Sequence, residues 1–427
     1  SLHASCRALL LCIREESALS EAVIDAELRA LQRFEPAQRS LPGDAWVREF
    51  LFQAVRRILL LAKSVRFHRG APLRELTDLR QHEFDPTRPV VLLAGGCDQQ
   101  VEQQMQSYRD CLMRAFADYE GYLVGGGTRA GISGLVGTIA ESRGPKGDRP
   151  ITAAGYYPAR MPAGVDLDKR YDVPVANPDG DDFSPLDAVQ AWVDLVASGV
   201  DPKQVKLLGI NGGQIAAVEY RLAIALGATV GVIRESGRSA DELLQDPEWS
   251  CPGNPLALPF DAASIHALVM PEETPLTPEQ LEQAAQEVHK KYCSDNKHKL
   301  VDPSMKPWPK LDPGLQQSNL KQAATAVQIL RSQGYDIRHV EGRAIELPTF
   351  APEEIEDMAE MEHGRWNCER LANGWTLGER DPENKVSPYL VPWEKLEERV
   401  KGYDREAVEN WPKMFEAIGL EVYKQGT

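Results

Sequence analysis

Two glycine-rich stretches carry the residues best suited to hold an anion. Residues 122–134 read YLVGGGTRAGISG, an apolar run that breaks into glycines and then into a helical pattern. Glycines at such a turn let the backbone approach a ligand, and the helix start offers unpaired N–H groups and a positive dipole end, which together hold phosphate. Gly125, Gly126, Gly127 and Gly131 make the cradle, Thr128 adds a hydroxyl and Arg129 a fixed cation. Residues 207–214, LLGINGGQ, repeat the pattern: Asn211, Gly212, Gly213 and Gln214 sit at the turn and Glu219 lies inside the helix that follows. Gly95 and Gly96, at the end of an earlier apolar run, supply a third wall. In open α/β sheets ligands sit where strand carboxyl ends face a crevice, so these loops predict one nucleotide-sized site. Tyr156 and Arg160, taken to follow a third strand, would add aromatic stacking and a second cation. Neither loop fits G-x-G-x-x-G or G-x-x-x-x-G-K-[ST], which disfavours hydride transfer and nucleoside triphosphate hydrolysis. What remains is a phosphate-bearing small molecule, with no cofactor called for.

A second constellation lies near the C-terminus, where Trp366, Trp375 and Trp393 alternate with Arg365, Arg370, Arg380 and Lys385. Aromatics interleaved with cations suit a base and its phosphates, although aromatics in a small helical unit also serve as core. His363, three residues before Trp366, reads as a buried imidazole. Nothing here pairs a nucleophile with a base, so the region is a second possible binding site and not an active site. Asp166, Asp181 and Asp182 form an acidic loop to which no metal is assigned.

The elements that must position these residues follow from periodicity. Short apolar strands at 90–96, 122–127, 151–157, 205–209, 229–234 and 267–270 alternate with helices, which indicates βαβ units and a parallel sheet covered on both faces. The fold class is therefore α/β: a Rossmann-like three-layer domain over 88–271, flanked by a helical packing or coupling region over 1–87 and a mostly helical domain over 272–427. In the first region Val47, Phe50, Leu51, Ala54, Val55, Ile58, Leu59 and Ala62 form one apolar helical stripe, with Asp44 as the N-cap. Arg48, Arg56, Arg57, Lys63 and Arg66 read as its solvated basic face. The last region repeats itself: Trp308, Leu311, Gly334 and Ile337 correspond to Trp393, Leu396, Gly419 and Val422 at a constant offset of 85. Two pseudo-repeats, about 277–340 and 351–423, are expected to bury their apolar faces against each other.

Composition narrows the function. A net charge of −16 repels polyphosphate backbones and anionic lipid, so neither nucleic acid nor a membrane is a partner. No apolar run approaches the length of a membrane span. Seven scattered cysteines point to free thiols in a reducing, cytoplasmic compartment. The chain does not begin with Met, which leaves room for an effector segment before Ser1.

The GGGTRAGISG and NGGQIAAVE loops are similar to the SLOG superfamily over residues 88–271. That superfamily includes the lonely-guy phosphoribohydrolases and the nucleotide-sensing region of melastatin-type TRP channels. In the enzyme branch the second loop reads P-G-G-x-G-T-x-x-E. Here Gly212, Gly213 and Glu219 keep their places, but Asn211, Ile215 and Ala216 replace Pro, Gly and Thr. The order His363-x-x-Trp366, Arg370-x-x-x-Gly374-Trp375, Pro388-x-Leu390-Val391-Pro392-Trp393 and Tyr403-Asp404 resembles the RyR domain, found in ryanodine receptors and many bacterial proteins. The resemblances together imply a regulatory sensor that binds a nucleotide-derived signal, of the ADP-ribose or cyclic-nucleotide class, and passes it to an effector or partner in bacterial defence or channel regulation, in a homo-oligomer. The alternative they imply is a phosphoribohydrolase acting on nucleoside monophosphates, with Arg129 and Glu219 catalytic. The degraded motif favours binding over turnover.

Overall fold

The structure is a computed structural model that describes residues 2–15, 20–38, 45–68, 71, 73–180, 182–297 and 303–426. It divides into two compact units, Ser1–Phe260 and Asp261–Thr427.

The first unit is built on a parallel sheet of seven strands: β1 (Val90–Gly95), β2 (Gly121–Gly125), β3 (Ile151–Pro158), β4 (Val173–Asn177), β5 (Val205–Ile210), β6 (Thr229–Ile233) and β7 (Leu256–Leu258), in the order β4-β3-β2-β1-β5-β6-β7. β1 is buried along nearly its whole length, as a strand covered on both faces must be, and its sequence VVLLAG is accordingly apolar without alternation. Helices α5 (Gln99–Ala115), α6 (Gly131–Ser142), α7 (Pro185–Ala197), α8 (Gln214–Leu226) and α9 (Arg238–Gln245) complete the layers. α5 begins where Asp98 accepts the Val101 N–H.

α1 (Leu2–Arg14), α2 (Glu21–Gln38), α3 (Ala45–Phe67) and α4 (Arg74–Thr77) belong to this same unit. Leu10, Ile13, Ile24, Ile58, Leu59 and Ala62 share one core with the sheet and with Val189 and Trp192 of α7, so the helices of 1–87 form no separate body. Asp44 and the side chains of Val47, Arg48, Phe50 and Leu51 lie outside the described residues. The basic face of α3 departs from the expectation. Arg57 is 2% exposed and pairs with Asp179, while Lys63 Nζ stands 2.7 Å from Asp25 of α2. Because α3 packs against both α2 and α7, these cations meet carboxylates where water was expected.

β4 and β7 carry weak sequence signals: β4 is an edge strand containing Pro174, and β7 has three residues. The strand expected at 267–270 is instead α10 (Ala262–Val269), opened by Asp261, whose carboxylate accepts the Ser264 N–H at 2.9 Å. This helix belongs to the second unit, which therefore begins before 272.

In the second unit α11 (Pro278–Asp295), a 3₁₀ turn (Trp308–Lys310), α12 (Pro313–Ser332) and β8 (Tyr335–His339) are followed by α13 (Pro352–Ala372), a 3₁₀ turn (Trp393–Lys395), α14 (Glu398–Glu416) and β11 (Leu420–Lys424). The two halves thus pass through the same order of elements, and β8 pairs antiparallel with β11. The short parallel pair β9 (Thr376–Leu377) and β10 (Val386–Ser387) occurs in the second half. α10 lies against α13, where a Cβ on Gly364 would overlap the Ala263 backbone.

Candidate functional site

β1 to β4 extend the sheet one way and β5 to β7 the other, so the order reverses between β1 and β5 and opens a crevice at their carboxyl ends. All three glycine segments meet there. The Gly96 N–H donates to Ile210 O at 3.2 Å, and the Ile132 N–H donates to Gly96 O at 3.0 Å. A Cβ on Gly96 would stand 2.6 Å from Asn211 Oδ1, and one on Gly131, whose φ is +60°, would enter the Gly96–Cys97 backbone. A Cβ on Gly95 would meet Ile132, and Gly127 (φ +72°) lies against Gly155 of β3. These glycines close the loops on one another.

Asn211 and Gly212 are also committed internally. The Asn211 N–H donates to Ser236 Oγ, its Nδ2 donates to Ser236 O, both at 2.8 Å, and its Oδ1 accepts the Gly212 N–H at 2.7 Å. Gly126 and Gly213 are the open positions: a Cβ would meet Ser133 Oγ at 3.3 Å in the first case and Arg238 Nη2 at 3.1 Å in the second. α6 and α8 start beside them without a side-chain cap, and helix starts of this kind are where anions bind.

A cavity of about 90 Å³ opens in the crevice, walled by Leu92 and Ala94 of β1, Val124, Gly125 and Gly126 at the end of β2, Tyr156 of β3, Leu207 of β5, Phe183, Ser184, Asp187 and Trp192 at α7, and Ile215 and Glu219 of α8. Asp187 accepts from Asn177 Nδ2 at 3.2 Å and from the Ser184 N–H at 3.1 Å; burial nevertheless pushes its carboxyl up to about 6. Glu219 is pushed further, to about 7, first by burial and then by the Asp187 charge. The Tyr156 hydroxyl donates to Asp194 at 2.8 Å, which also accepts the Gln81 and His82 N–H groups, so this wall is fixed from behind. Asp187 escaped the sequence reading, yet a signal existed: Ser184-Pro185-x-Asp187 is a capping box before an apolar run.

Of the residues expected in this site, Tyr156 and Glu219 line the cavity together with Gly125 and Gly126. Tyr156 does so from within β3, not after it. Thr128 is buried, its N–H on Ser133 Oγ at 3.2 Å. Arg129, Arg160 and Gln214 are exposed and lie outside the cavity lining, as no Lys, Arg or His is part of it. Arg129 is carried outward because its N–H is tied to Asp166 O.

In the second unit a wide groove runs between α11, α12, α13 and α14. Arg365, Trp366, Arg370 and Arg380 line it. Arg365 is buried and spent on two carboxylates, Glu362 at 2.8 Å and Glu369 at 2.9 Å. The Arg370 guanidinium stands 5.5 Å over Trp366 and 5.0 Å over Trp375. Trp393 is core, 5% exposed with Nε1 donating to Glu356 at 3.0 Å, and Lys385 is exposed with Nζ on Asn373 O; neither reaches the groove. His363 is buried, its Nε2 donating to Val391 O at 2.9 Å; burial opposes its charge, but Asp404 more than offsets this and raises its pKa.

Among the described residues no helix is long and apolar enough to cross a membrane. The X-ray structure of TM1055, a structural genomics target, is 23% identical, with 37% of this chain and 81% of that chain covered at a TM-score of 0.28. Residues 338–424, from β8 through β11, match the family model of the RyR domain.

Proposed function

We propose that the first unit binds a nucleotide-derived small molecule at the β1/β5 crevice, with its phosphate on the amides around Gly126 and Gly213 and its ring in the cavity, as a sensor without turnover. The observation that carries this reading is the meeting of the glycine loops at one sheet reversal, with two uncapped helix starts above a cavity. Turnover is disfavoured because Arg129 lies outside the cavity lining that includes Glu219, so the two residues assigned to catalysis are not brought together there. The RyR domain then transmits or adds a second ligand through the groove beside Arg370, to an effector or a partner copy in a cytoplasmic homo-oligomer.

One observation favours the hydrolase reading: a carboxyl that titrates at about 7 is a competent general acid for a leaving base. Incubation with AMP and with ADP-ribose separates the two. A thermal shift with intact nucleotide supports the sensor; free adenine or ribose phosphate, lost on Glu219→Gln, supports the enzyme. No shift and no product with either compound sinks both.

A further inference from the structure

The crevice joins an anion cradle to a cavity of opposite preference. Asp187 from α7 and Glu219 from α8 both face into it, and its lining contains no basic side chain. Asp187 is built to be an anion: one oxygen accepts from Asn177 and the other from the Ser184 N–H. No hydrogen-bond donor reaches Glu219 among the described residues, and the other charge that acts on Asp187, Asp182, is negative. At the cradle, Arg238 beside Gly213 is paired with Asp98. A carboxylate pair in an apolar enclosure is costly unless a proton or a positive charge joins it, and among the described residues no basic side chain lines this one.

The remaining walls mix aliphatic side chains with three aromatic ones. Tyr156, Trp192 and Phe183 face the cavity, and Tyr156 is held by its hydroxyl bond to Asp194. Aromatic faces attract a cation, most strongly when water is excluded. Gly125 and Gly126 leave the wall on the β2 side without side chains, which suits a flat ring entering from the phosphate cradle.

We propose that this cavity takes a cationic nitrogen heterocycle, the charged ring of a ligand whose phosphate the glycine loops hold, with Asp187 and Glu219 as its counter-charges. The proposal rests on the binding reading above and deepens it. A neutral ring leaves the carboxyl pair uncompensated, and an anionic group is repelled.

The test uses two compounds that share a ribose phosphate and differ in ring charge. Nicotinamide mononucleotide carries a pyridinium cation, and its reduced form carries a neutral dihydropyridine; AMP serves as a third phosphate ligand. Calorimetric titration of the full chain should show the oxidised form binding about tenfold tighter or more than the reduced form. Asp187→Asn should collapse that ratio to within about twofold, by weakening the oxidised form. Should Asp187→Asn fail to fold, since it weakens the α7 cap, Glu219→Gln should shrink the ratio at least about threefold. Equal or tighter binding of the reduced form, or binding of AMP alone, overturns the cation inference and leaves the anion cradle standing. Failure of all three to bind overturns the reading on which it rests.

Discussion

The crevice of the first unit and the groove of the second use the same residue types to opposite ends. At the groove the buried carboxylates Glu362 and Glu369 hold Arg365, and elsewhere in the second unit Glu356 holds Arg405 and Glu421 holds Arg338 and Arg343. The crevice leaves Glu219 with a second carboxyl for company and no cation in reach. A closed ion network is expensive to open and specifies how helices stack; an unclosed one is a vacancy for charge. In the groove, Arg370 is the exception, held by two indoles in place of a carboxylate.

The largest expected effect breaks the closed side. Arg365→Ala leaves Glu362 and Glu369 buried without a counter-charge and should cost about 3–5 kcal/mol in denaturant unfolding of the second unit. Arg365→Met with Glu362→Gln and Glu369→Gln should recover most of that loss. If Arg365→Ala alone costs under about 1 kcal/mol, the network is not closed in the sense argued.

The open side predicts a gain. In the folded chain Glu219 keeps its proton up to about 7, against 4.5 when unfolded, so its ionisation works against folding as pH rises through that window. Glu219→Gln should therefore stabilise the protein by about 1–3 kcal/mol at pH 8, with most of the gain gone at pH 5. Thermal melts across pH 5–8 check this, and a pH-independent difference would refute it.

Gly126→Val sharpens the contrast between cradle and cavity. It places a branched side chain where little but Ser133 Oγ stands within 4 Å, so folding should be nearly unchanged while AMP binding weakens about tenfold or more. Loss of stability in place of affinity would make Gly126 a packing glycine like Gly131. The smallest effect belongs to the indole sandwich, where Trp375→Leu should cost about 0.5–1 kcal/mol by removing one cation–π face from Arg370.

Much of the candidate site's backbone framework is legible in the sequence because it depends on local backbone chemistry. Strands β1, β2 and β5 announce themselves as short, largely apolar runs, and glycines after each mark a turn with little room for side chains. The constant offset between Trp308 and Trp393 likewise marks two 3₁₀ turns in corresponding places. Asp187 was not legible as a site residue, since its meaning depends on α7 packing against α8. Nor could spacing tell that Trp366 borders the groove while Trp393 is core, or that Arg57 turns inward to Asp179.

The amino-acid order by itself determined where amides are bared and which segments become strands, since both follow from a few neighbouring residues. Which charges are neutralised and which are left waiting was decided only by the tertiary structure. A carboxyl's electrostatic fate depends on burial and on partners distant in the chain: Glu219 and Asp187 are thirty-two residues apart, and only the packing of α8 on α7 turns two ordinary acids into a coupled pair.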